Sequence, residues 1–162
     1  MAAFTGLGHV ALKVRDLEAS VAFYEKLGFA EFLRLLEDDG KAWIVYIRFD
    51  DNLYLELFPG GTERVNQTAT GTNHLCLTVE DIEATARHLT QVGIPLASPL
   101  DPSRRGVDNN RGMWIEDPDG NRIEVMEMAP DCIQWEAIRK LAAGGGKTAL
   151  LAPLKPRAKT PA

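Results

Sequence analysis

Residues 5–29, TGLGHVALKVRDLEASVAFYEKLGF, align without a gap on residues 70–94, TGTNHLCLTVEDIEATARHLTQVGI, at an offset of 65. Nine of the 25 positions are identical, among them His9/His74, Asp16/Asp81 and Gly28/Gly93, so the match covers polar and turn residues as well as apolar ones. The far ends match too. DDNLYLELF (50–58) reads like PDGNRIEVM (118–126), which puts Glu56 and Glu124 at equivalent places 68 apart. Self-similarity at this period means two copies of one supersecondary unit, neither able to bury its apolar face alone.

Each copy reads as strand, helix, then three strands. Val10, Leu12 and Val14 alternate with His9, Ala11 and Lys13, the period of a half-buried strand. Asp16 is placed to cap the helix that follows, and Glu18 favours its first turn through the helix dipole. Leu17, Val21, Tyr24 and Leu27 recur at helical spacing before Gly28. The second copy repeats the pattern with Leu75, Leu77 and Val79, then Asp81, then Ile82, Ala86, Leu89 and Val92, then Gly93. Strands are predicted near 31–36, 42–49 and 53–58, and again near 94–97, 111–116 and 121–128. The turn Asp117-Pro118-Asp119-Gly120 joins the last two. The fold class is therefore α+β, as two tandem βαβββ modules over residues 1–68 and 69–130. Residues 131–162 add a short amphipathic helix and a Pro-, Ala- and Lys-rich tail. The long loops 59–71 and 98–110 are candidate binding elements.

Composition narrows the partners. Net charge is −5, and setting aside the four basic residues of 144–162 leaves −9 on residues 1–143. An acidic body excludes nucleic acid as the main partner, since phosphate neutralisation needs basic surface. No stretch approaches the roughly 20 apolar residues of a membrane span. The N-terminus lacks a signal-peptide pattern, and Cys76 and Cys132 form no CxxC pair, which fits a reducing cytoplasm. Two modules leave sheet edges to cover, so a homodimer is expected.

Strand alternation also selects a set of donors. Leu53, Leu55 and Leu57 share one face, and Tyr54, Glu56 and Phe58 the other; Ile123 and Val125 likewise oppose Arg122, Glu124 and Met126. His9, Glu56, His74 and Glu124 thus fall on polar faces. A lone His or Glu on a strand is usually solvated, but a duplicated His/Glu pair is not a chance pattern. Two imidazoles and two carboxylates balance one divalent cation, and mixed N/O donors suit Zn, Ni, Co, Fe(II) or Mn. His88 falls on the outer helix face, and Cys76 shares the face of His74 as a small thiol.

GHVALKVRDLEASVAFYEKLGF, LYLELF, NHLCLTVEDIEA and WIEDPDGNRIEV together resemble the vicinal oxygen chelate superfamily, which includes glyoxalase I, extradiol dioxygenases, methylmalonyl-CoA epimerase and the bleomycin resistance proteins. The resemblance covers about residues 5–128 and implies a mixed-sheet cup around a divalent metal held by His9, Glu56, His74 and Glu124. A His-Glu-His-Glu set resembles glyoxalase I (lactoylglutathione lyase), in which the metal stabilises an enediolate while a carboxylate moves a proton between adjacent carbons. That resemblance gives Glu124 the proton-carrying role, with Glu56 as ligand and second carrier. The alternatives are an iron-dependent extradiol-type dioxygenase, using His9, His74 and Glu124, and a small-molecule-sequestering resistance protein. Bacterial glyoxalase I has Arg where this chain has Lys13 and Asn where it has Gly60, two positions that hold glutathione carboxylates. Lys13, Arg104, Arg105 and Arg111 are the candidate contacts for an anionic substrate, such as a glutathione hemithioacetal.

Overall fold

A computed structural model of the chain describes residues 6–67 and 70–144. The basic tail expected beyond the last helix lies outside the described residues. Strand β1 (His9–Lys13) is followed by α1 (Leu17–Lys26), β2 (Glu31–Leu36), β3 (Ala42–Arg48) and β4 (Tyr54–Phe58). The second copy runs β5 (Leu75–Val79), α2 (Ile82–Gln91), β6 (Arg111–Glu116) and β7 (Arg122–Glu127), and α3 (Ile133–Ala142) closes the described chain. Two open, mixed sheets result, ordered β1-β4-β3-β2 and β5-β7-β6.

The duplicated signals act alike in both copies. Asp16 Oδ1 accepts from the Ala19 backbone N–H at 3.0 Å, and Asp81 Oδ1 accepts from Ala84 N–H at 2.9 Å. Each bond satisfies a helix-end donor, an interaction of about 1 kcal/mol. Gly28 and Gly93 end the helices at φ 92° and 75°, a region closed to most side chains.

One expected element departs from the sequence reading. Residues 94–97 are not a strand. Pro95 carries no N–H to give to a ladder, and Ala97 N–H alone reaches the Trp114 carbonyl, at 2.8 Å. The second sheet therefore has three strands where the first has four.

The chain separates into two compact units, Met1–Leu75 with Glu116–Ile123, and Cys76–Ile115 with Glu124–Ala162. In the first, α1 lays Val21, Phe23 and Tyr24 over a core of Ile44, Val45, Ile47, Leu55 and Leu57. The Asp117-to-Gly120 turn belongs to this unit. Asp119, 2% exposed, takes Arg15 Nε at 2.8 Å and Ser20 Oγ at 3.4 Å, while Tyr24 OH donates to Asp117 Oδ2 at 3.2 Å. Burial, with Asp117 beside it, pushes the Tyr24 phenol well above its usual range. The loop after β4 straps the same turn, with Val65 N–H on the Asp119 carbonyl and Gln67 Nε2 on that of Gly120. In the second unit Ile82, Leu89, Ile94, Met113, Ile115 and Val125 form the core.

Helix α3 forms as its apolar spacing predicts. However, Trp135, Ile138 and Leu141 stay 41–49% exposed, and none of its residues is buried.

Candidate functional site

In the first unit β1 and β4 run parallel, with His9 beside Tyr54, Ala11 beside Glu56 and Lys13 beside Phe58. Because Leu55 and Leu57 turn into the core, Glu56 must turn out, and it meets His9 with Nε2 to Oε2 at 3.6 Å. One divalent ion can span that gap, since metal–N and metal–O bonds of about 2.0–2.2 Å set neighbouring donors about 3–3.6 Å apart. His9 is 45% exposed and Glu56 13%, so the carboxylate is held while the imidazole remains open to solvent. The pair fits one half of a mixed N/O site.

Tyr46 stands opposite Glu56 in the β3–β4 ladder. Burial first, then the Glu56 charge, raise the Tyr46 phenol above its ordinary value. Tyr54 stacks on His9 at 5.4 Å and 23°, and lies 5.7 Å from Tyr46. Phe32 completes the group edge-on, 6.0 Å from Tyr46 and 5.9 Å from Tyr54. A cleft of about 380 Å³ lies further along, lined by Ala11, Lys13, Trp43, Phe58 and Pro59 among others. Tyr54 and Phe58 are visible on the Glu56 face from alternation alone. Tyr46 and Phe32 are not, because placing them needs the strand register.

His74 lies half-buried just before β5, its Nδ1 2.7 Å from Asn73 Oδ1. An Nδ1–H donating to that amide oxygen puts the ring's lone pair on Nε2.

In the second unit Glu124 lies beside Cys76 and over Gly112, where an added Cβ would come within 3.4 Å of Glu124 Oε1. Burial, reinforced by Glu124, pushes the Cys76 thiol up to about 11. A cleft of about 250 Å³ borders Glu124, with Asp101, Arg104, Asp108, Asn110 and Trp114 in its wall.

The three candidate arginines of this unit have different settings. Arg111 is engaged with Glu127, through Nη2 at 2.6 Å and Nε at 3.0 Å, and with Glu83 at 3.0 Å. Glu127 is held below its usual value by Arg111 and by the Ile82 N–H. Arg105 donates to the Asn109 carbonyl at 3.1 Å. Arg104 lines the cleft and forms no ion pair among the described residues.

The loop that carries Arg104 is fastened to the start of α3. Asp108 accepts from Gln134 Nε2 at 2.9 Å and Asn110 Nδ2 at 2.7 Å, and Asn110 Oδ1 accepts from Ala129 N–H at 2.9 Å. Asn109, at φ 73°, reaches Asp131 at 2.7 Å. Burial alone would raise Asp108, but the bonds from Gln134 and Asn110 outweigh it and hold the carboxyl below its ordinary value. Sequence reading marked this loop as a binding element and had no signal for its fastening to 129–134, whose partners lie 19–26 residues apart.

Among the described residues, no three His, Cys, Asp or Glu side chains form a group able to hold a metal ion. None of their helices is long and apolar enough to cross a membrane.

Residues 6–125 match the family model of the glyoxalase/bleomycin resistance protein/dioxygenase superfamily. The chain is 27% identical to lactoylglutathione lyase of Haemophilus influenzae, over 74% of this chain and 90% of that protein. It is also 27% identical to lactoylglutathione lyase of Schizosaccharomyces pombe, of which it spans 44%. A solved glyoxalase family protein from Enterococcus faecalis superimposes with a TM-score of 0.62 at 26% identity, covering 76% of this chain and 98% of that one.

Proposed function

Since the chain belongs to the glyoxalase/bleomycin resistance protein/dioxygenase superfamily, we propose that it is a divalent-metal-dependent lyase or isomerase of the glyoxalase I type. His9, Glu56, His74 and Glu124 are its metal ligands in this reading, and the chain acts as a homodimer on a small anionic substrate. The observation that carries the proposal is the His9–Glu56 pair, 3.6 Å apart on an open sheet face. The internal repeat makes His74 and Glu124 the equivalents of that pair. The terminal strands of the two sheets, β1, β2, β5 and β6, are the edges a second copy would cover in this reading.

The bound ion would polarise two adjacent substrate oxygens. Glu124, which lines a cleft, takes the proton from the carbinol carbon of a hemithioacetal. The same proton returns to the neighbouring carbonyl carbon. The carbinol oxygen becomes the thioester carbonyl and the former ketone oxygen becomes a hydroxyl, so the reaction is an isomerisation that needs no co-reactant. Glu56, 13% exposed beside His9 and opposite Tyr46, is in this reading a ligand with less freedom to move a proton. Lys13 and Arg104 bind the substrate's remote charges.

The test is metal content after purification, then thioester formation from hemithioacetals of glutathione and of other thiols. We expect one metal per site, lost in His74→Ala with an unchanged circular dichroism spectrum. Full metal retention and normal turnover in that variant would sink the assignment, and oxygen uptake with catechols would replace it by ring cleavage.

A further inference from the structure

The start of α3 is engaged with the loop before β6. Ile133 N–H donates to the Asp108 carbonyl at 3.1 Å, and Gln134 Nε2 to the Asp108 carboxylate at 2.9 Å. Trp135, Ile138 and Leu141 follow at spacings of three, so they share one side of the helix, and that stripe stays 41–49% exposed. Three large apolar side chains at helical spacing are what a helix presents to a partner.

The size of the stripe narrows the choice of partner. It is on the order of a few hundred Å², well short of the about 800 Å² per partner that a stable contact between separate chains needs. A segment joined to the helix faces a smaller demand, since a short link holds it at an effective concentration on the order of millimolar. Such a segment comes next in the sequence. Residues 145–162 lie outside the described residues, and they contain one apolar run, Ala149-Leu150-Leu151-Ala152-Pro153-Leu154.

The end of α3 favours a return path. Gly144 stands in the left-handed region at φ 83°, with its N–H on the Leu141 carbonyl at 3.0 Å, and such a cap turns the chain off the helix axis. Gly145 and Gly146 follow. Extended chain over 145–150 reaches about 20 Å, whereas the ten residues of α3 span about 15 Å. The leucines at 150, 151 and 154 can therefore run back beside Leu141, Ile138 and Trp135. Charge acts in the same direction: Lys147, Lys155, Arg157 and Lys159 occur with no acid among them, against −9 on residues 1–143.

We infer that residues 149–154 of the same chain cover the apolar stripe of α3, with Leu150, Leu151 and Leu154 against Trp135, Ile138 and Leu141.

Amide hydrogen exchange on the full chain tests it. The amides of 149–154 should exchange at least about tenfold more slowly than those of an unstructured peptide of the same sequence, and equally so over a roughly hundredfold range of protein concentration. Leu150→Asp with Leu151→Asp should release 149–154 to unstructured rates and speed exchange over 135–142 severalfold, with β1 to β7 unchanged. Ile138→Asp, at a half-exposed position of the helix, should release the same segment with the tail intact, and Leu150→Met with Leu151→Met should keep the slow rates. Unstructured rates over 149–154 in the unaltered chain, or rates over 135–142 indifferent to the Asp pair, would overturn the inference. So would slowing that grows with protein concentration, which would make a second copy the occupant, or slowing only on phosphatidylserine vesicles, which would make it a lipid surface.

Discussion

The two copies of the repeat share their caps, turns and donor pairs, and they differ in what surrounds each carboxylate. Glu56 stands opposite Tyr46 in the ladder, on the face that carries Tyr54 and Phe32. Glu124 sits beside a thiol, a glycine and a cleft whose wall carries Arg104, Asp108 and Asn110. A duplicated backbone therefore offers one carboxylate beside a group of rings and another beside a polar cleft. The same residue type in the same strand position is suited to different work, and the neighbours decide which.

Glu124→Gln breaks the comparison most sharply. The amide keeps size and a donor oxygen but loses the basicity needed to take a proton, so kcat should fall by about 10²–10⁴-fold with metal partly retained. Glu56→Gln should cost clearly less, because a held ligand is being altered and not the proton carrier. Equal small losses at both sites would remove the functional difference between the copies.

The thiol beside Glu124 gives the next effect. A Cys76 pKa of about 11, against 9.0 for an unperturbed thiol, leaves about a hundredfold less thiolate at pH 8. In the metal-free chain iodoacetamide should modify Cys76 correspondingly slowly, and Glu124→Gln should accelerate the reaction. The rate should climb as pH rises toward 11, because the thiolate is the reacting form. A rate at pH 8 equal to that of a small free thiol would mean that Cys76 does not feel Glu124.

A smaller effect concerns the loop over the second cleft. Gln134→Ala removes one bond from Asp108 and should make native-state trypsin cleavage after Arg104 or Arg105 severalfold faster, with KM for an anionic substrate rising more than kcat falls. The sign with pH follows from the lowered Asp108 carboxyl. Its contribution is complete above the unfolded carboxylate value near about 4 and is lost as pH falls through the lower folded value. Amide protection over 103–110 should drop on that acid side, and protection unchanged there would rule out Asp108 as the fastening group.

Much of this was legible in the sequence, for physical reasons. Alternation placed Leu55 and Leu57 inward and Glu56 outward, and the capping Asp and terminating Gly fixed both helices to within a residue. Local rules govern those features, so a local reading finds them. The run 94–97 misled because its apolar residues fit a strand, while Pro95 removes a ladder donor. The Tyr46–Glu56 contact and the Asp108–Gln134 fastening depend on register and on loop path, which no short window contains. The burial of Asp119 against Arg15 likewise joins residues 104 apart.

That last contact bears on how the molecule comes into being. The unit built around α1 is completed by the turn at Asp117–Gly120, which is made only after 58 further residues, 59–116, have followed the first unit's own strands. Closing so long a loop is slow, because its entropy is lost before the contact returns anything. During synthesis the first four strands must wait, with Ser20 and Tyr24 lacking their aspartates, until the last hairpin has emerged. Cutting the gene between the two repeats would therefore yield not two autonomous halves but complementary fragments, the first of which reaches its native state only on meeting the second.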